Sequence, residues 1–315
     1  MATAKVTSDK IKLSAWMKKN YPALTLSHLM KLCRTGQIRV NGSRAPYSRL
    51  MAEGDEIKLP PFIAEYETAP ETAAKKQAAY SQEDIDGMLS SIIYEDADII
   101  AINKPAGLAA QGGTGITKHA DTLINAARPE FSGNLRIAHR IDKETSGIMI
   151  IAKGHDAAAA MTAMFRERKA RKKYLALVYG SIPSKEGVIR APIAEERDEN
   201  GNDWRRTKDA DSAKYALTRY KVADEAFGLI SLVELMPATG RTHQLRIHMK
   251  HIGHPIVGDF KYGREGEFTK LKRSLDIEIA RSLHLHAAEI EIEGKPAIRA
   301  PMPPHMRSLC KYLGF

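Results

Sequence analysis

One carboxylate in the chain stands in a setting suited to chemistry on a polyanion. Asp142 lies between Arg140 and Lys143, and the apolar run that begins at Ile148 predicts a buried strand shortly after it. A carboxylate can act as a nucleophile or a base, and it stabilises positive charge that develops on a sugar. A single Asp beside basic residues is more often a surface ion pair, so Asp142 alone does not define a site.

Two basic clusters elsewhere supply phosphate-binding groups for such a carboxylate. Six of the eight residues in 166–173 are basic, and they lead into an apolar strand that carries Tyr174. The second cluster spans residues 239–248 and contains Arg241 and Arg246. Lys and Arg bind phosphates and release condensed counterions. These clusters predict a carboxylate held between groups that clamp a nucleic-acid backbone.

Glycine-rich and histidine-rich segments suggest a phosphate-binding loop and a metal site, but neither segment has the residues that such a site requires. Gly112, Gly113 and Gly115 lack the following Lys-Ser or Lys-Thr of a phosphate-binding loop. The four histidines between 243 and 254 form no His-Glu-x-x-His pattern and alternate with basic residues that repel a cation. No Gly-x-Ser-x-Gly turn marks a serine nucleophile. We therefore predict no metal site and no cofactor loop.

Composition narrows the class of protein. The 315 residues carry a formal net charge of +10 and a sequence pI of about 9.4, which favours polyanionic partners. Two cysteines cannot build a disulfide framework, so a reducing compartment is expected. The first thirty residues show no signal-peptide pattern, and no apolar run approaches the roughly 20 residues that span a bilayer. We expect a cytoplasmic protein without a membrane segment.

The first sixty residues predict a compact basic module with a charge of +7. Apolar faces predict two helices, and the Asn41-Gly42 pair predicts a tight hairpin turn. The apolar positions of these helices are Leu13, Trp16, Met17, Leu26, Leu29, Met30 and Cys33. The basic residues lie off these faces, and we take Lys31, Arg34 and Arg39 as candidate RNA contacts. The module resembles the small RNA-binding module shared by a small-subunit ribosomal protein and the tyrosyl-tRNA synthetases.

The remaining chain divides into a linker and one large domain. Residues 61–90 reverse the charge and are rich in Ala, Glu, Thr and Gln, which is typical of a linker. Residues 91–315 intersperse predicted helices and strands without a strict βαβ rhythm. We predict an α+β fold with a mixed, largely antiparallel central sheet and flanking helices.

Several ordered motifs of the large domain resemble the large-subunit branch of the RNA pseudouridine synthases. The run His-Arg-Ile-Asp-Lys-Glu-Thr-Ser-Gly over 139–147 is similar to that family's aspartate signature. Residues 172–180 are similar to its tyrosine motif, and residues 240–248 match its arginine motif. Asn-Lys-Pro-Ala-Gly at 103–107 and Leu-His-Ala-Ala at 285–288 fit in order and position. With the first module, the likeness covers nearly the whole chain.

The resemblance implies specific roles and partners. Asp142 is the implied catalytic carboxylate, with Arg246 as its ion-pair partner and Tyr174 stacking on the base. It further implies contacts to RNA from Arg140, Arg168, Lys172, Arg241 and His243, with Arg140 taking the place of a flipped-out base. The implied substrate is ribosomal RNA of the large subunit, bound by a monomer without a cofactor or a metal.

The implied reaction is an isomerisation of uridine in which no group enters or leaves. Asp142 either attacks C1′ or removes the C2′ proton, and both routes stay open. Two other hypotheses remain beside this one. The chain can be a catalytically silent RNA-binding or ribosome-assembly factor, or a metal-dependent hydrolase that uses its histidines.

Overall fold

The computed structural model of the chain describes residues 2–7, 10–66, 80–113, 116–197, 203–207 and 213–315. These residues form two compact units, one within residues 1–79 and one within residues 80–315. None of the described helices combines the length and the apolar character that a membrane crossing requires.

The first unit encloses its own apolar core between two helices and short antiparallel strands. Its elements in chain order are β1 (Ala2–Lys5), β2 (Ile11–Lys12), α1 (Leu13–Asn20), α2 (Leu26–Thr35), β3 (Arg39–Val40), β4 (Ser43–Arg44), β5 (Leu50–Met51) and β6 (Glu56–Leu59), followed by a 3-10 helix (Pro61–Tyr66). The sheet order is β1-β6-β3-β4, and β2 pairs with β5. Both predicted helices and the turn between β3 and β4 are confirmed, with Asn41 and Gly42 at φ 51° and 76°.

The buried face of α2 differs from the predicted one. Leu29, Leu32 and Cys33 enter the core, whereas Leu26 and Met30 are 55% and 44% exposed. The spacing i, i+3, i+4 from Leu29 defines one stripe of the helix, and Leu26 and Met30 lie beside it. The ten-residue helix α2 therefore packs only one row of side chains against the small core of the first unit.

The second unit is built on one ten-stranded sheet. Its strands are β7 (Ile92–Glu95), β8 (Ile99–Lys104), β9 (Leu135–Ile137), β10 (Ser146–Lys153), β11 (Ala170–Tyr179), β12 (Glu186–Arg190), β15 (Leu217–Ala226), β16 (Ile230–Pro237), β17 (Leu285–Ile292) and β18 (Ile298–Arg299), with a separate hairpin of β13 (Ile193–Arg197) and β14 (Asp203–Thr207). Its helices are α3 (Gln82–Ser90), α4 (Ala120–Ala127), α5 (His155–Arg166), α6 (Gln244–His251), α7 (Glu265–Leu275) and α8 (Pro304–Leu313).

The sheet runs in the order β12-β15-β16-β11-β17-β10-β8-β7, with β9 on β10 and β18 on β17. Among the described strands only β10 and β17 pair in parallel. Apolar side chains on its faces form the cores of the unit together with the helices. The α+β fold with a largely antiparallel sheet is confirmed.

The linker predicted over residues 61–90 is wrong at its C-terminal end. A capping box starts α3: the Ser81 hydroxyl accepts from the Asp84 N–H, and the Asp84 carboxylate accepts from the Ser81 N–H. The acidic residues thus favour a helix N-terminus, and Met88 packs into the core against α4. Residues 67–79 of the predicted linker lie outside the described residues. So do residues 198–202 and 208–210 of the highly charged segment 193–210.

Candidate active site

A single cleft in the second unit brings the predicted catalytic residues together. It has a volume of about 1460 Å³. Its lining includes the candidate residues Asp142, Tyr174, Arg246, Arg140, Arg168, Lys172, Arg241 and His243. Three segments that lie at least 26 residues apart in the sequence therefore converge, and all eight second-unit candidates share one surface.

The loop that carries Asp142 lies between β9 and β10 and is fastened from its C-terminal side. The Lys104 ammonium at the end of β8 donates to the Lys143 carbonyl at 3.0 Å, and the Gly107 N–H donates to the same oxygen at 2.9 Å. The Thr145 N–H donates to the Asp142 carbonyl at 3.1 Å and closes a turn. The backbone of Asp142 is thereby held in one conformation.

The Lys104 side chain itself is fully buried. Besides Lys143, its ammonium donates to the carbonyls of Pro105 at 2.9 Å and Leu108 at 2.7 Å, so all three N–H groups have partners. Burial lowers the pKa of Lys104 to about 7, while the charges of Glu144 and Asp142 act in the opposite direction.

His139 fastens the N-terminal side of the same loop. Its Nε2 accepts from the Ile150 N–H at 3.1 Å, which continues the β9–β10 pairing beyond Ile137. The ring packs on Phe165 at 4.4 Å between centroids. Burial lowers the pKa of His139 to about 3, and the nearby Lys172 ammonium acts in the same direction. The imidazole is therefore neutral and acts as an acceptor.

The end of the motif joins the loop to β17. Gly147 has φ +107°, and a Cβ there would lie 2.3 Å from the Ala287 carbonyl oxygen, so only glycine fits. The Ser146 hydroxyl contacts Nδ1 of His286 at 2.9 Å, which links two of the predicted motifs. This close parallel contact places the start of β10 directly against β17.

Tyr174 contributes a buried phenol to the cleft. It lies on β11 where that strand pairs with Leu235 of β16 and Ala287 of β17, next to a register shift. Burial raises the pKa of Tyr174 well above its usual range, and the Asp142 charge acts in the same direction. The phenol is consequently protonated at neutral pH.

Arg246 has a different partner from the expected one. Its Nε and Nη2 donate to the two carboxylate oxygens of Asp259 at 2.8 and 2.7 Å. Among the described residues, none forms a hydrogen bond or an ion pair with the half-buried Asp142 carboxylate. Burial acts to lower the pKa of Arg246, but the hydrogen bonds and charge of Asp259 raise it, and the Asp142 charge adds to that rise through space.

A buried glutamine shapes the loop before α6. The Gln244 amide oxygen accepts from the Thr239 hydroxyl at 2.7 Å and from the Arg241 N–H at 3.0 Å. Its amide nitrogen donates to the Leu217 carbonyl and the Thr218 hydroxyl, both at 3.0 Å. Gln244 thus fixes the segment that brings Arg241 to the cleft.

The chain is similar along most of its length to proteins of one catalytic family. Residues 98–251 match the model of the RNA pseudouridylate synthase family. A protein of Vibrio vulnificus (strain CMCP6) called ribosomal large subunit pseudouridine synthase C is 36% identical over 88% of this chain and 82% of its own. The protein of the same name from Escherichia coli (strain K12) is 32% identical over 91% of this chain and 86% of its own. The chain belongs to the RNA pseudouridylate synthase family.

Two solved structures agree with this assignment. Human RNA Pseudouridylate Synthase Domain Containing 4 superposes with a TM-score of 0.63 at 26% identity and covers 77% of this chain and 98% of its own. Human RNA Pseudouridylate Synthase Domain Containing 1 gives 0.56 at 27% identity, covering 70% and 86%. The protein is an RNA pseudouridine synthase, an isomerase.

The basic residues around the synthase cleft fall into two groups. Lys169, Arg171 and Lys173 form ion pairs with glutamates, among them those of β17. Within the described chain, Arg140, Arg168 and Lys172 form no ion pair. The run 166–173 therefore presents fewer uncompensated charges to the cleft than the sequence suggests.

The candidate RNA contacts of the first unit also differ from one another. Lys31 and Arg34 are exposed on α2. The Arg39 guanidinium donates to the carbonyls of Gly36 at 3.1 Å and Gly42 at 3.2 Å, so it stabilises the hairpin. This structural role leaves Lys31 and Arg34 as the more available cations.

The four histidines that suggested a metal site each contact a different protein group. Nδ1 of His243, His248, His251 and His254 lies 2.7–3.0 Å from an oxygen of Tyr262, Thr218, Thr207 and Tyr179, respectively. In the described part of the chain no three His, Cys, Asp or Glu side chains are grouped to hold a metal ion. Hydrogen bonds within the fold account for these histidines.

Sequence reasoning missed two residues of the site. The sequence patterns do not include Asp259, although a carboxylate two residues after the apolar pair Ile256 and Val257 indicates a buried partner for a cation. Lys104 was recognised only as part of a motif. Its signal is a lysine that ends the apolar strand β8.

Proposed function

We propose that this synthase converts specific uridines of large-subunit ribosomal RNA to pseudouridine, with Asp142 as the catalytic carboxylate. The observation that carries the proposal is the meeting of Asp142, Tyr174 and Arg246 in one cleft, with the Asp142 carboxylate unpaired among the described residues. The names of the relatives from Vibrio vulnificus and Escherichia coli support the choice of RNA.

The reaction breaks the bond between uracil N1 and C1′, turns the base, and joins C5 to C1′. N1 gains a proton and C5 loses one, so the atoms balance without a donor or an electron carrier. Cleavage develops positive charge on the sugar, and an ionised Asp142 either attacks C1′ or removes the C2′ proton. We propose that Tyr174 stacks on the base and assists removal of the C5 proton.

The target uridine must leave the RNA stack before Asp142 can reach its sugar. Flipping a nucleotide costs a few kcal/mol. We propose that Arg140, exposed two residues before Asp142, occupies the vacated position, and that Arg168, Lys172, Arg241 and His243 contact the flanking backbone. Their placement around one cleft supports this arrangement.

The first unit is proposed to act as an RNA-binding module that adds phosphate contacts through Lys31, Arg34 and Arg39 to those of the catalytic domain. We further propose that the enzyme acts as a monomer in the cytoplasm, where it meets the large-subunit RNA, and uses no cofactor. The basic surface and the composition support a polyanionic partner over a protein one.

The test is pseudouridine mapping in large-subunit ribosomal RNA incubated with wild type, Asp142→Asn or Asp156→Asn. The first substitution keeps the shape of the side chain and removes its charge, so we expect a loss of at least about 10³-fold in rate. Exposed Asp156 on α5 lies outside the cleft lining and is the matched control. Near wild-type conversion by Asp142→Asn contradicts the catalytic assignment. Conversion by neither wild type nor variant favours a silent RNA-binding factor.

A further inference from the structure

The C-terminal end of α5 forms one wall of the cleft. Phe165 and Arg166 follow Thr162 by three and four residues, so the three side chains share one helix face, and all of them line the cleft. Arg168 lies just beyond the helix and lines the cleft as well. Thr162, Arg166 and Arg168 are exposed, and the Phe165 ring is half-buried. These four residues are called the α5 wall below.

The α5 wall brings an aromatic ring into a basic cleft. Apart from histidines, the described residues of the cleft lining carry only two aromatic rings, those of Tyr174 and Phe165. Tyr174 is assigned to the target uracil in the proposed function. A phenyl ring surrounded by cations is the usual surface for stacking an unpaired base, whatever its sequence. Phe165 therefore offers a place for a second base.

Phe165 lies against the loop that carries Asp142. Its ring centroid is 4.4 Å from that of His139, with the ring planes inclined by 41°. His139 precedes Asp142 by three residues. The ring also packs against the apolar core that contains Met161. A base stacked on Phe165 would consequently lie next to the nucleotide that occupies the catalytic position.

The backbone after Phe165 adopts a conformation that favours glycine. The Lys169 N–H donates to the Met164 carbonyl at 2.9 Å, and the Arg168 N–H donates to the Phe165 carbonyl at 3.3 Å. In this helix ending the residue at the position of Arg168 is most often glycine, because its backbone is left-handed, here with φ +61°. The arginine thus occupies a position where glycine costs less.

A role in binding RNA explains this arginine. The Arg168 side chain lines the cleft, and among the residues that the structure describes neither Arg166 nor Arg168 forms an ion pair. Their charges are therefore available to phosphates, which release condensed counterions when cations bind them. The wall combines a ring for a base with cations for the adjoining backbone.

We propose that the α5 wall is a subsite for one unpaired base of the RNA beside the target uridine: the base stacks on Phe165, and Arg168 contacts an adjacent phosphate. This inference rests on the proposed function and adds a second base contact to it. Stacking reads the flat face of a base and not its edge. The subsite hence selects an unpaired region around the target and not a particular base.

The test pairs Phe165→Leu with abasic nucleotides in a large-subunit RNA fragment. Dissociation constants are measured for the intact fragment and for fragments with one abasic site at each unpaired position that flanks the target. We expect Phe165→Leu to weaken binding of the intact fragment by about 5- to 30-fold. One abasic site should weaken wild type by a similar factor and leave Phe165→Leu nearly unchanged, because the stack is already lost.

Leucine keeps an apolar side chain over His139, which separates stacking from a structural role. Loss of stacking leaves the melting temperature and the single-turnover rate at saturating enzyme within about threefold of the wild-type rate. A purely structural role would lower both and would make the effects of Phe165→Leu and of every abasic site additive, which would overturn the proposal. Phe165→Tyr keeps the ring and should bind within about twofold of wild type. Phe131→Leu, at a half-buried ring outside the cleft lining, is the matched control.

Arg168→Gly tests the phosphate contact through two effects of opposite sign. Glycine relieves the backbone, so the melting temperature should equal or exceed that of wild type. The affinity for the fragment should fall, and the slope of log affinity against log salt should become shallower by about 0.7 to 0.9. Exposed Asp276 ends α7 at φ +50°, and Asp276→Gly should give the same relief without loss of affinity. Wild-type affinity for Arg168→Gly would contradict the phosphate contact.

Pseudouridine formation in the intact fragment reports on the proposed function separately. If wild type converts no uridine, the proposed function fails, and the inference fails with it. If wild type converts the target while Phe165→Leu binds every fragment as wild type does, only the α5 wall is contradicted.

Discussion

At the scale of single residues, a buried charge, that of Lys104, holds the loop that presents Asp142 to the cleft. The Lys104 ammonium satisfies three carbonyls, including that of Lys143 next to Asp142. A buried cation lacks solvation, which is why its pKa falls to about 7. Lys104 is therefore a structural cation whose protonation affects the free energy of unfolding near neutral pH.

The first prediction follows from the sign of that shift. Between pH 7 and the ordinary lysine pKa near 10.5, the unfolded chain binds a proton at Lys104 that the folded chain releases. The free energy of unfolding should consequently rise with pH in this range, by up to about 1.4 kcal/mol per pH unit from this group. Lys104→Met should remove that rise in urea denaturation measured from pH 7 to 9.

Lys270→Met, at an exposed position of α7, provides the control and should keep the wild-type slope. If Lys104→Met also keeps that slope, another group causes the pH dependence. Lys104→Met also removes three hydrogen bonds at the base of the Asp142 loop. We expect this loss to lower the free energy of unfolding by about 1–3 kcal/mol, and the same denaturation curves measure it.

The types and order of residues predict which side chains line the cleft. They do not predict which of these side chains form ion pairs. Asp142, Tyr174 and Arg246 belong to contiguous motifs that can be recognised in the linear chain. The partner of Arg246 depends on how the turn at Asp259 packs beside α6, and no local pattern contains that information. Neutral His139 is a similar case, because burial and the nearby Lys172 charge lower its pKa, and both are results of the tertiary fold.

At the scale of elements, the contact between β10 and β17 determines where the Asp142 loop begins and ends. Alternation and apolar runs predict these strands, but the parallel pairing of two strands distant in sequence is a tertiary result. For helix α3, in contrast, the sequence predicts a linker where the structure has a regular element. Its composition is typical of a linker, and only the cap at Ser81 and the buried Met88 show why it folds.

The second prediction concerns this contact. Gly147→Ala would place a Cβ 2.3 Å from the Ala287 carbonyl at a φ that L residues rarely adopt, so β10 and β17 must separate locally. We expect a destabilisation of about 3 kcal/mol or more and loss of pseudouridine formation. Thermal denaturation followed by circular dichroism measures the first effect, and nucleoside analysis of the RNA measures the second.

Gly266→Ala on α7 is the control for this substitution. A Cβ there meets nothing within 4 Å, and alanine favours a helix over glycine by about 1 kcal/mol. It should therefore leave stability unchanged or increase it. Equal stability of Gly147→Ala and wild type would show that the backbone can adjust, and that Gly147 is not required by this contact.

At the scale of the whole molecule, the chain has a net charge of +10, but its cations differ in whether a nearby carboxylate compensates them. In the second unit many cations are compensated by nearby acids, as Lys173 is by Glu234 and Glu289. The cleft cations Arg140, Arg168 and Lys172 form no ion pair in the described chain. Binding of RNA should accordingly depend on a limited set of cations rather than on total charge.

The last prediction tests that selectivity in the full chain. Replacing exposed Lys31 and Arg34 by Ala removes two proposed phosphate contacts, so the slope of log affinity against log salt should become shallower by about 1.4 to 1.8. The matched pair Lys270→Ala and Arg273→Ala removes the same charge from exposed positions of α7 outside the cleft lining. It should change the slope clearly less. Equal changes for both pairs would mean that net charge alone governs affinity, and that the first unit makes no specific contribution through α2.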